Sequence, residues 1–314
     1  MNKLESIRQA YETGNCSKQD YIEQIHERHA QLFDYSGFIA DTDVESIRIL
    51  PEGIAVRSRS QQIELFLDPV DQHLVPYTLM NFHAYEEAET EFLKSVTEPD
   101  WTILDIGANC GWYALALARK FSRIEIHAFE PIPNTNRILS RNIDLNGFKN
   151  IHTHLLGLSD QEATLEFLYT PGCSGATSLT LAGQPTGPGK PLQSISCTTS
   201  TIDIFCRSRN LAPKLIKCDV EGAELMVMRG GEGTIAANKP IILIELLRKW
   251  ALKFSYHPND VFSLLGRHGY KAFTLSPDAL TPCAEVDEST RETNFVFLHE
   301  EQHQHIIAAW KTRN

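Results

Sequence analysis

The sequence predicts a doubly wound α/β domain with a mainly parallel sheet, preceded by a smaller accessory region. Three observations carry this. From Trp101 onward, short apolar runs alternate with helix-periodic segments, the pattern of repeated βαβ units. The stretch 102–120, TILDIGANCGWYALALARK, joins an apolar run to a glycine turn and then to a long apolar-periodic segment. Most apolar runs close on an acidic residue, at the strand ends where an open parallel sheet forms its ligand crevice.

Residues 1–98 read as the accessory region, packed on a main domain of 99–314. LESIRQAYE and SKQDYIEQIHERHAQLF have helical spacing, and Ser17 with Asp20 forms a capping-box pattern. GIAVRSRSQQIELFLD reads as two short strands around a polar turn, and HAYEEAETEFLKSV as a helix stopped before Pro99. In the main domain, TILDI is the first strand and helix 111–121 follows. IEIHAFE is the second strand, followed by a helix that Gly147 closes. NIHTHLLGLS is the third. KLIKCDV and PIILIEL flank a helix at 222–230. PNDVFSLLGRHGY is a helix with a glycine stop, KAFTL a strand, and TNFVFLH the last strand. Between strand-like ATLEFLYT and SISCTTS lies a Gly-, Pro-, Ser- and Thr-rich segment, 170–192. A loop of that length is either an excursion or part of a binding site.

Composition narrows the function. Net charge is −11 with no long basic run, which argues against nucleic acid and against an anionic membrane surface. No uncharged apolar stretch is long enough to span a bilayer and Met1–Ala10 carries charges throughout, so the expected compartment is the cytoplasm. The seven cysteines include no CxxC pair and read as reduced thiols.

The strand ends carry the chemistry. The first ends in Asp105-Ile106-Gly107-Ala108-Asn109-Cys110-Gly111, the second in Phe129-Glu130-Pro131, and the third in Leu156-Gly157-Leu158-Ser159-Asp160. The fourth ends in Lys217-Cys218-Asp219-Val220-Glu221-Gly222 and the fifth at Glu245. Glu130, a little over twenty residues past the glycine turn, suits a ribose diol and repels a 2′-phosphate. That leaves NAD, another nucleoside or S-adenosylmethionine. GANCG lacks the GxGxxG spacing of a pyrophosphate turn, and acidic strand ends fit a cationic, phosphate-free ligand better.

Together ILDIGANCGWYALALA, AFEPIPNTNRIL, LGLSD, LIKCDVEGAELMVMRGG, IILIEL and NFVFLH resemble the FkbM-type methyltransferases over about Tyr85 to Leu298. Cys110 and Gly157 depart from the family's commonest pattern without removing a functional group. The resemblance implies a Rossmann-like class I methyltransferase fold with an antiparallel edge strand. It also implies S-adenosylmethionine-dependent O-methylation of a hydroxyl on a sugar, glycan or secondary metabolite. By position, Asp105, Gly107, Ala108, Asn109 and Gly111 line the methionine moiety, Glu130 with Pro131 takes the ribose, and Leu158, Ser159 and Asp160 lie near adenine. Tyr85 and Glu86 close over the cofactor.

Methyl transfer to a hydroxyl calls for positioning and for a base. Asp219, which also borders the transferred methyl, is the first candidate and Glu221 its competitor. Lys217, on the same strand face as Asp219, pairs with a carboxylate and keeps it ionised. Asp105 has an alternative role capping the amides of the glycine turn, and Glu224 one at a helix N-terminus. Glu245 either meets substrate or pairs with Arg248 or Lys249. His152 and His154 alternate on one strand face without a third ligand, and Asp219, Glu221 and Glu245 are a minority option for a divalent ion, so no metal is expected. His299, His303 and His305 read as solvated. A non-catalytic cofactor-binding module and an NAD-dependent oxidoreductase are the alternatives, and the N-terminal helices are a possible homodimer surface.

Overall fold

The computed structural model describes residues 2–169, 178–179 and 193–310; most of the expected loop 170–192 lies outside them. The chain opens with α1 (Lys3–Glu12) and α2 (Lys18–Phe38). Asn2 and Ser17 cap them through side-chain oxygens, and neither helix has a buried residue. The pair is held by caps and by a Tyr11–Tyr21 ring stack at 4.7 Å rather than by a core. Next come β1 (Val44–Leu50), β2 (Gly53–Ser58) and β3 (Glu64–Phe66), an antiparallel meander, then α3 (Val75–Phe82) and α4 (Glu87–Val96). The sequence reading lacked β1 and α3.

The main sheet is built from β4 (Thr102–Ile106), β5 (Glu125–Phe129) and β6 (Ile151–His154), joined by α5 (Trp112–Lys120) and α6 (Pro133–Asn146). The expected third strand splits here: β7 (Gly157–Leu158) leaves for another sheet with β8 (Ala163–Tyr169), β9 (Ser178–Leu179) and β10 (Gln193–Ser200). After α7 (Ile202–Arg209) the main sheet resumes with β11 (Leu215–Cys218), α8 (Glu224–Arg229), α9 (Glu232–Asn238) and β12 (Ile241–Glu245). It closes with α10 (Arg248–Ala251), α11 (Pro258–Arg267), β13 (Tyr270–Ser276), β14 (Ala279–Pro282), β15 (Asn294–His299) and α12 (Gln304–Trp310).

Among the described residues the order is β14-β13-β15-β12-β11-β4-β5-β6. β6, β5, β4, β11 and β12 are parallel, while β15 runs antiparallel between β12 and β13 and β14 is an antiparallel edge. This is the Rossmann-like class I architecture. Chain order reverses at β4, which places the crevice at the carboxyl ends of β4, β5, β11 and β12.

The parallel strands are apolar throughout because helices cover both faces. Ile103, Ile126, Leu215 and Leu243 enter one core; Leu104, Ile216, Ile242 and Ile244 enter the other. The first core also contains Val44, Val56, Ile63, Leu65, Leu79 and Phe92, so residues 44–98 share apolar packing with the main domain. A polar tie supports this junction. Asn142 of α6 accepts from the Phe66 amide at 2.8 Å and donates to the Cys110 carbonyl at 2.8 Å. Asn146, one turn later, satisfies both backbone groups of Glu64, covering the edge of β3.

Two histidine expectations change. His299 and His303 are buried, with the His303 Nδ1 accepting the His299 amide at 2.9 Å; α12 folds back and excludes water from a segment that its charges marked as solvated. His154 lies 3.0 Å from His127, and the His127 ring stacks on His152. Among the described residues no group of three or more His, Cys, Asp or Glu is arranged to hold a metal ion. No described helix is long and apolar enough to cross a membrane.

Candidate active site

The turn after β4 sets the geometry. Gly107 has φ +76°, and a Cβ there would stand 2.8 Å from the Asp219 carbonyl carbon and closer still to its oxygen. Only glycine lets β4 and β11 approach this tightly at their ends. The Gly107 and Ala108 amides bond the Phe129 carbonyl. The Asn109 amide donates to Glu130 Oε2 at 3.2 Å, and the Ile132 amide to Oε1 at 3.0 Å. Glu130 thus fastens the glycine turn to the start of α6. Its burial pushes the carboxyl up to about 7, against the pull of those two amides.

Beyond this turn lies a cavity of about 330 Å³, inside the size range of small-molecule sites. Its lining includes Tyr85, Glu86, Gly107, Ala108, Asn109, Glu130, Pro131, Leu158, Ser159, Lys217, Asp219, Glu221 and Glu245. Three expected residues stand apart from the lining. Asp105 is buried beneath the turn with neither carboxylate oxygen hydrogen-bonded, which removes its alternative as a cap of the turn amides. Gly111 closes the turn at φ +96°, its amide bonded to the Ala108 carbonyl. Asp160 is exposed, bonded at 3.3 Å to the Ser159 hydroxyl.

The electrostatics are unusual. Lys217 pairs with Asp219 Oδ2 at 3.3 Å and lies opposite Asp105 in the β4–β11 register. Burial works against its ammonium, but Asp219, Asp105 and Glu86 outweigh burial and raise it. Four carboxylates converge around it in the lining: Glu86, Asp219, Glu221 and Glu245. Burial, then the charges of Asp219 and Glu224, push Glu221 up to about 8. Burial, then Asp219 and Glu221, push Glu245 well above the ordinary range. Burial also raises Glu86, which accepts a 2.5 Å bond from the Tyr113 hydroxyl. Asn109 Oδ1, Asp219 Oδ1 and Glu221 Oε2 are buried without a hydrogen-bond partner, a costly state that a donor-bearing or cationic ligand relieves. Glu86, Asn109 and Glu221 all have left-handed backbones, φ +40°, +49° and +54°, which concentrates strain at this one crevice.

Glu224 resolves in favour of structure. Its Oε1 accepts the Val220 and Gly222 amides at 3.2 and 2.9 Å, and its Oε2 the Tyr256 hydroxyl at 2.9 Å. It shapes the turn that presents Glu221. Glu245 forms no ion pair with Arg248 or Lys249 among the described residues and faces the cavity instead. Sequence reasoning missed His73, Val75, Leu165, Phe167 and Thr199, which also line the cavity. Leu165 and Phe167 alternate with Glu166 in β8, a period-two signal of one shared face; nothing local marks His73 or Val75.

Comparison with known proteins agrees with this layout. The Methyltransferase FkbM domain matches residues 105–272, more than half of the chain. A Methyltransferase 1 of Beauveria bassiana is 30% identical over 145 residues, 42% of this chain and 58% of that protein. A 2-O-methyltransferase NoeI of Sinorhizobium fredii is 25% identical over 202 residues, 61% of this chain and 78% of its own. The chain thus spans little more than half of the first of these relatives. Methyltransferase FkbM from Methylobacillus flagellatus is a solved structure at 18% identity and TM-score 0.40, covering 71% of this chain and 53% of its own. Since the domain match begins at the aspartate ending β4 and takes in the glycine turn, Glu130 and the turn that presents Glu221, this chain belongs to the FkbM methyltransferase family.

Proposed function

We propose that this chain is an S-adenosylmethionine-dependent O-methyltransferase acting on a hydroxyl of a sugar, glycan or secondary metabolite. The observation that carries the reading is the cavity at the β4 switch point, where buried carboxylates outnumber the Lys217 ammonium and two of them keep an unpartnered oxygen. S-adenosylmethionine, when bound, supplies an electrophilic methyl on a sulfonium together with an ammonium, the two positive charges that such a cavity lacks. Glu130 is placed to take a ribose diol, Leu158 and Ser159 to border the adenine, and Gly107, Ala108 and Asn109 to hold the amino-acid end. The 2-O-methyltransferase among the relatives favours a hydroxyl acceptor.

The protein's own residues then do three things. Tyr85, Tyr113 and Trp112 wall the cavity with rings and exclude water. Lys217 holds Asp219 by an ion pair and so fixes the direction of its free oxygen. Asp219, with Glu221 beside it, accepts the hydroxyl proton as the acceptor oxygen becomes a nucleophile; loss of such a base lowers the rate by about 10²–10⁴.

The test is calorimetric titration with S-adenosylmethionine, S-adenosylhomocysteine and NAD, on the natural protein and on Glu130→Ala. The expected result is binding of both adenosyl ligands, weakened at least about tenfold by losing a charge-assisted hydrogen-bond acceptor, and none of NAD. Binding of NAD alone sinks the reading.

A further inference from the structure

A basic segment stands at the mouth of the acidic cavity. Directly after β12, the run Arg248-Lys249-Trp250-Ala251-Leu252-Lys253 places three cations within six residues of a chain whose net charge is −11. The segment is fixed against the turn of Glu221: a Cβ at Gly222, φ +112°, would stand 2.8 Å from both the Trp250 carbonyl oxygen and the Phe254 ring. The indole of Trp250 holds the lysines, with the Lys253 ammonium 3.5 Å and the Lys249 ammonium 5.1 Å from the ring centroid. A ring orients a cation without neutralising it, unlike a carboxylate partner. Arg248 and Lys249 are exposed and form no salt bridge among the described residues.

Offsetting Glu221 is the obvious role for the two lysines, and they do pull its carboxyl down. That carboxyl nevertheless stands at about 8, so their charge is largely spent elsewhere. An anionic acceptor approaching these carboxylates would be repelled unless cations at the rim met its charge first. Arg248 adds a planar fork suited to carboxylate, phosphate or sulfate.

We propose that the acceptor carries an anionic group near the hydroxyl to be methylated, and that Arg248, Lys249 and Lys253 hold this group at the rim while the hydroxyl faces Asp219. This rests on the methyltransferase reading. The segment selects anionic sugars over neutral ones and sets the acceptor's orientation from one end.

The experiment is titration of the S-adenosylhomocysteine-loaded protein with glucuronate, glucose 6-phosphate and glucose, on the natural chain and on the double variant Arg248→Gln, Lys249→Gln. The anionic probes are expected to bind roughly tenfold or more tightly than glucose, and the variant to lose that advantage, as removal of charge-assisted contacts implies. Affinity for S-adenosylhomocysteine should stay within about twofold, since the substituted side chains lie outside the cavity. The glucuronate and glucose 6-phosphate arms tell a carboxylate from a phosphate. Equal binding of glucose, absence of binding by either anionic probe, or an unchanged variant overturns the inference. So does weakened S-adenosylhomocysteine binding in the variant, which would assign the cations to the cofactor site. Failure of the natural chain to bind S-adenosylhomocysteine at all overturns the methyltransferase reading itself, so the two failures are distinct.

Discussion

Replacing Gly107 by alanine tests whether the close approach of β4 and β11 builds the site. Two costs add. An alanine at φ +76° loses about 1–2 kcal/mol to left-handed backbone strain. Its Cβ also falls inside contact distance of the Asp219 carbonyl, and forcing atoms into a packed interior costs about 1–3 kcal/mol. The sum is about 2–5 kcal/mol, and for a domain of this size each kcal/mol lowers Tm by roughly 2–4 °C. Gly147 is the control: its φ is +72°, and nothing lies within 4 Å of the added Cβ. Gly147→Ala therefore carries only the strain. Thermal unfolding should place Gly107→Ala at least about 4 °C below Gly147→Ala, and calorimetry should find adenosyl-ligand affinity reduced in Gly107→Ala alone because Asp219 moves. Equal Tm values, or unchanged affinity in Gly107→Ala, would refute the close-approach argument.

Other expectations follow from the same geometry. Asn142→Ala leaves the Phe66 amide and the Cys110 carbonyl without their partner, and denaturant unfolding should find a loss of about 2–4 kcal/mol; a change under about 0.5 kcal/mol would mean that the polar tie is idle. Glu130 is raised by burial from 4.5 in the unfolded chain to about 7, so its contribution to stability is present below pH ~4.5 and fades as pH rises through 7. The shift corresponds to about 3 kcal/mol, and Glu130→Gln should flatten the fall in stability between pH 5 and 8; an equally steep fall in the variant rejects it. Glu221, at about 8 without ligand, should release a proton when a cation binds beside it. Calorimetry in buffers of different ionisation enthalpy should therefore find more protons released by S-adenosylmethionine than by uncharged S-adenosylhomocysteine, and equal numbers would count against a sulfonium near Glu221. Deleting residues 1–40 removes helices with no buried residue, so stability should change by less than about 1 kcal/mol. The deletion should reduce acceptor use or dimer formation while cofactor affinity holds; equal loss of cofactor binding would contradict that division.

What the sequence determined by itself was local. The βα units were readable because apolar runs, a capping serine at Ser17, the glycine stop at Gly147 and the breaks before Pro99 and Pro258 act within a few residues of themselves. The strand ends followed from the same runs, and with them Glu130, Lys217, Asp219 and Glu221. Tertiary structure alone decided the rest. The split of β7 from β6, the burial of His299 and His303 under α12, and the entry of His73, Val75 and Thr199 into the cavity all depend on segments far apart in the chain. Asn142 illustrates the reason: its partners are Phe66, 76 positions away, and Cys110, 32 positions away. Glu224 and Glu245 read alike as acidic residues at strand ends. One became a clamp on backbone amides and the other a protonated wall of the cavity, because burial and neighbouring charge, which set what a carboxylate does, exist only once the chain has folded.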